Sequence, residues 1–156
     1  MERETIIQLH AAFEGLVKIE EATGLVFWLA RELQNVLDYQ HWRNFEPVIE
    51  KAIIACQNAG FDANDHFART RKMVDLGSGA QREIDDFMLT RYACYLIAQN
   101  GDPSKDPIAF AQTYFAIQTR RAELIEKRLA DVERLQARKK LTVSEKDSCK
   151  NSVTNA

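Results

Sequence analysis

Apolar residues recur at three- and four-residue spacing in Ile6, Leu9, Phe13, Leu16 and Val17. That spacing predicts a helix from Glu4 to about Glu20, with Gly15 as its weak point. Ala22-Thr23-Gly24 is a turn signal. The short apolar run Leu25–Ala30 predicts a buried strand, and Arg31–Leu37 a short helix. Asp38–Asn44 reads as a connector anchored by Trp42. Pro47 suits the opening turn of a helix that continues through Val48, Ala52, Ile53 and Cys56 to Asn58 and stops at Gly60.

The second half changes period. Arg71–Leu76 and Glu83–Leu89 flank Gly77-Ser78-Gly79-Ala80, which predicts a β-hairpin with a glycine-bearing link. Thr90 is an N-cap candidate for a helix over Arg91–Gln99, because its hydroxyl can accept an orphan backbone N–H. Asn100-Gly101-Asp102-Pro103 ends that helix, with Gly101 expected in the left-handed conformation. Pro107 opens the longest helix, to about Lys140. Its apolar stripe is wide at Ile108, Ala111, Phe115 and Ile117 and narrower at Ile125, Leu129 and Val132. The narrow stretch predicts a helix that self-pairs as a homodimer or folds back on the body. The elements together predict an α+β fold: a small antiparallel sheet of hairpins packed with helices, plus a long C-terminal helix. The expected organisation is one domain over residues 1–141 and a disordered polar tail over 142–156.

The chain's 156 residues suffice for one core without disulfide or metal. The longest apolar runs are far shorter than a bilayer span. Met1-Glu2-Arg3-Glu4 lacks the apolar core of a secretory signal, so a cytoplasmic location is expected. Cys56, Cys94 and Cys149 are odd in number and widely spaced, and the first two read as small buried hydrophobes. Net charge is −2, unevenly spread. Residues 1–68 carry 5 basic and 11 acidic residues, net −6, and residues 69–156 carry 16 basic and 12 acidic, net +4. Contact with a polyanion therefore belongs to the second half.

Catalytic chemistry is not signalled. His10, His41 and His66 are isolated, without zinc-ligand spacing. Ser78 lacks a nucleophile-elbow frame. Its two glycines suit a hairpin turn or a backbone nest for one phosphate. Glu83 and Asp85 share a strand face and could hold magnesium, yet no second acidic cluster is placed near them. Tyr92, Tyr95, Tyr114 and Phe115 could stack bases but sit at core spacing. The basic residues say more, because arginine forks suit phosphate oxygens. Arg71 and Lys72 precede the turn, Arg82 follows it and Arg91 starts the next helix. Arg71, Arg82 and Arg91 are expected to form one electropositive surface. Arg120 and Arg121 lie on the long helix, solvated, acid-paired or bound to phosphate.

Three stretches carry a resemblance. One is Phe27-Trp28-Leu29-Ala30-Arg31-Glu32-Leu33, with Leu37-Asp38-Tyr39 and Trp42-Arg43-Asn44-Phe45. The second runs Val74-Asp75-Leu76-Gly77-Ser78-Gly79-Ala80-Gln81-Arg82-Glu83-Ile84. The third runs from Leu89-Thr90-Arg91-Tyr92 to Gln99-Asn100-Gly101-Asp102-Pro103, and Ala111–Arg121 follows. Over residues 5–145 the chain resembles the DNA-damage-inducible protein D family, whose N-terminal part is a BRO-type domain. Asp38 stands where that family tends to have glycine. The end of the chain does not resemble the family's continuation, so a truncated member is expected. The resemblance implies an α+β fold, a cytoplasmic location and a role in the response to DNA damage, and the missing metal and nucleophile spacings add the expectation that the role is non-catalytic and uses no cofactor. It also implies association with DNA or with the RecA recombinase, while the short apolar runs predict no membrane partner. The residues expected to meet nucleic acid are Arg71, Lys72, Ser78, Gly79, Arg82, Arg91, Arg120 and Arg121. The alternative is a protein-interaction module acting on the RecA filament without touching DNA.

Overall fold

The computed structural model describes residues 1–153. The chain divides into two compact units, Met1–Thr119 and Arg120–Ala156. The first is α+β: helices and a four-stranded antiparallel sheet share one apolar core. Its elements are α1 (Arg3–Gly15), β1 (Lys18–Ile19), β2 (Val26–Leu29), α2 (Ala30–Val36) and α3 (Trp42–Asn58). α4 (Ala63–His66), β3 (Phe67–Asp75), β4 (Gln81–Leu89), α5 (Arg91–Gln99) and α6 (Asp106–Val153) follow. The sheet order is β1-β2-β4-β3.

The core gathers large side chains from distant elements. Phe13 of α1 packs edge-on against Phe115 of α6 at 5.6 Å between ring centroids, and Trp28 of β2 does the same at 5.4 Å. Each such fully buried aromatic contributes about 1.5–3 kcal/mol relative to exposure. Cys56 and Cys94 are buried, as their apolar settings predicted, and burial pushes the Cys94 thiol well above its ordinary range.

Several boundaries differ from the sequence expectation. α1 stops at Gly15, and Lys18–Ile19 pairs with Val26–Phe27 as a short edge strand. α3 begins at Trp42, so Pro47 lies inside its second turn. Residue 43, whose carbonyl would be the helical partner of a residue at 47, loses that bond and α3 continues regardless. α4 has its own cap, Asp62, whose side chain accepts from Asn64 N. Thr90 caps α5 as predicted, accepting from Ala93 N at 3.2 Å.

Gly101 is a correction: it is not among the positive-φ residues. A Cβ there would stand 2.8 Å from Cγ2 of Ile108, so glycine serves close packing between the end of α5 and the start of α6. α6 also outruns its expected end near Lys140. Of the tail expected to lack structure, residues 142–153 continue the helix to Val153, and 154–156 lie outside the described residues. Leu141–Val153 contains neither proline nor glycine, so nothing local stops the helix.

Candidate nucleic-acid interface

β3 and β4 pair over nine residues each, from Phe67 opposite Leu89 to Asp75 opposite Gln81. The inner end of this hairpin belongs to the core, where Phe67, Phe87 and Leu89 are buried. From Arg71 to Asp75 and from Gln81 to Asp85 only Val74 and Ile84 are partly covered, and the other side chains are exposed. The outer half is therefore a two-stranded arm, about 17 Å long at the usual rise per residue. At its tip Leu76 N donates to Ala80 O at 2.9 Å, and the chain reverses through Gly77 and Gly79 at φ 79° and 78°. Those angles favour glycine, which has no Cβ to clash.

Register sorts the charges by face, because directly paired residues of an antiparallel ladder point the same way. Arg69, Arg71, Met73 and Asp75 share one face with Phe87, Asp85, Glu83 and Gln81. There Arg71 Nη1 bonds Glu83 Oε2 at 2.9 Å. Lys72 and Val74 share the other face with Ile84 and Arg82. On that face Lys72 and Arg82 are diagonal neighbours, and neither has an ion-pair partner among the described residues.

The expected single surface of Arg71, Arg82 and Arg91 is thus not assembled. Arg71 and Arg82 lie on opposite faces of the arm. Arg91 begins α5 beyond the hairpin's inner end, half-buried, and its charge acts on Tyr114. Ser78 and Gly79 sit in the tip. Arg120 and Arg121 belong to the second unit, where Arg120 pairs with Glu123 at 3.4 Å. The candidate stacking rings Tyr114 and Phe115 are buried. Tyr92 instead meets His66 and the exposed Phe61, at 5.0 and 5.2 Å.

Two features behind the arm were not legible in the sequence. Asp86, next to the exposed Asp85, is itself only 1% exposed. Its Oδ1 accepts from Arg31 N at 3.0 Å and Phe87 N at 2.8 Å, fastening the first turn of α2 to β4. Arg31 donates from Nε to Asp85 O at 2.9 Å, and its guanidinium lies 3.9 Å from the ring centroid of Trp42. Asp86 follows Asp85 in an otherwise exposed acidic run, and only the packing of α2 separates the two roles. Among the described residues no group of three or more His, Cys, Asp or Glu is placed to hold a metal ion. No described helix is long and apolar enough to cross a membrane.

Fold and arm together define a small α+β domain that presents a two-stranded ribbon with one basic face. The family described as "BRO family, N-terminal domain" matches residues 17–116, and the chain belongs to the BRO family. It is similar to the DNA damage-inducible protein D of Escherichia coli (strain K12), with 50% identity over 117 residues. That match covers 75% of this chain and 42% of the relative, so the chain spans less than half of the relative's length. No solved structure matches.

Proposed function

We propose that this protein is a non-catalytic DNA-binding module of the response to DNA damage, acting in the cytoplasm, and that it meets DNA through the β3–β4 arm. The single observation that supports this reading is the arm's unpaired basic face of Lys72 and Arg82. A two-stranded ribbon fits the B-DNA major groove, which is about 12 Å wide. Lys72 and Arg82 then meet phosphate oxygens, and the backbone of Ser78 and Gly79 approaches at the tip. Similarity to a protein named for DNA damage supplies the biological setting.

The test is a DNA titration at several salt concentrations. Arg82→Ala and Lys72→Ala each weaken binding at low salt and flatten the salt slope by about one unit, the signature of a lost phosphate contact. Arg71→Ala, on the opposite face and tied to Glu83, leaves both quantities near the parent's. Equal effects of all three substitutions would remove the basic-face assignment.

A second reading, a module acting on the RecA filament without touching DNA, is favoured by the net charge of −6 over residues 1–68. Under it, the parent shows no DNA affinity at low salt and binds the recombinase alone.

A further inference from the structure

The described part of the second unit, residues 120–153, lies within one helix. Ile125, Leu129 and Val132 are 59%, 59% and 53% exposed, so among the described residues they are left largely uncovered. With Ala122 they alternate spacings of three and four, the seam of a left-handed coiled coil. Gln136 and Lys139 continue the same seam.

The flanking positions decide what covers it. Arg121 and Arg128 line one side of the seam, and Glu126 and Glu133 line the other. None of these four has an ion-pair partner among the described residues, whereas the outward-facing Arg120 and Arg134 pair with Glu123 and Asp131. In a parallel in-register pair of helices, a residue on one flank meets the residue five further along on the partner's opposite flank. That places Arg121 beside the partner's Glu126 and Arg128 beside the partner's Glu133, twice over by symmetry. An antiparallel pair sets arginine against arginine and glutamate against glutamate.

We propose that residues 121–140 form a parallel, in-register two-stranded coiled coil with a second copy of this chain. Gln136 meets its own counterpart only in that register, the use to which a lone polar seam residue is suited. The dry contact is short, from Ala122 to Val132, so the dimer is weak and concentration-dependent. The inference is independent of DNA binding.

Sedimentation and cysteine pairing test it on the full chain. The parent shifts from monomer to dimer as concentration rises. Arg121→Glu/Arg128→Glu makes both flanks acidic and weakens self-association about tenfold or more. Glu126→Arg/Glu133→Arg makes both flanks basic and does the same, and mixing the two variants restores a dimer. In a Cys149→Ser background, Ile125→Cys and Lys139→Cys each oxidise to a dimer through the same residue of both copies. An antiparallel pair can do so at only one of the two positions. A parent that stays monomeric at high micromolar concentration, or a mixture that does not pair, overturns the proposal. The folded state of each variant is checked by circular dichroism, and the flank residues are exposed, so loss of pairing is separable from loss of fold.

Discussion

Asp38 holds φ at 65°, the one non-glycine residue with positive φ among those described. It closes α2, with Asp38 N donating to Asn35 O at 3.2 Å, and its side chain is exposed. An L-residue there pays for its Cβ, and an aspartate pays less than most. The resemblance leads to an expectation of glycine at this point, and the angle supplies a physical reason for one. Asp38→Gly relieves the strain at some cost in unfolded-chain entropy, for a net gain of about 0.5 kcal/mol. A urea unfolding curve checks it through a higher midpoint at unchanged slope. A lower midpoint would mean that the carboxylate contributes more than the strain costs. Gly101 illustrates the other use of glycine: its φ is ordinary, and Ile108 occupies the space a side chain would need.

At the scale of elements, α2 begins at Ala30 without a cap of its own, since Leu29 offers no side-chain acceptor. Asp86 supplies the acceptor from β4, so a helix start depends on a strand 55 residues away in sequence. Asp86→Ala strands the N–H groups of Arg31 and Phe87 and costs about 2–4 kcal/mol. The neighbouring Asp85→Ala costs within about 0.5 kcal/mol, because Arg31 bonds only the backbone oxygen of residue 85. Denaturant midpoints of the two variants provide the comparison, with faster amide exchange at Arg31 expected in Asp86→Ala alone. Equal losses would show that Asp86 contributes no more than a surface charge.

At the scale of the molecule, burial disfavours the charged form of three tyrosines, Tyr39, Tyr92 and Tyr114. Burial pushes Tyr114 far above the ordinary value of 10.0, and the hydrogen bond to Glu14 Oε1 at 2.6 Å adds to the rise. Burial also raises Tyr39, with Asp102 contributing, and raises Tyr92. A group whose pKa is higher in the folded state keeps its proton there while the unfolded chain releases it. Its contribution to stability is complete below the ordinary value and is lost as pH rises above it. The first unit therefore destabilises steeply once pH passes 10.0. Tyr114→Phe, although weaker at neutral pH by about 1 kcal/mol, loses less over that rise. Unfolding curves on both sides of this pH settle it. Parallel losses in parent and variant would show that Tyr114 is not the sensitive group.

Local rules carried much of this protein. The apolar spacing of α1, the cap at Thr90, the two glycines of the hairpin tip and the α+β class all follow from neighbours in sequence. The edge strand at Lys18–Ile19 does not, because two residues carry no period and pairing with β2 alone makes them a strand. The sidedness of the arm is the sharpest case. A four-residue link over Gly77–Ala80 would pair Leu76 with Gln81 and set Arg82 on the face of Arg71. The ladder instead closes at Asp75 and Gln81, which moves Arg82 to the opposite face beside Lys72. Side chains alternate with a period of two, so a register shift of one residue exchanges the faces of every group on the strand. Sequence determined which charges the arm carries, and tertiary structure decided which of them stand together, because register is set by how Phe67, Phe87 and Leu89 seat in the core.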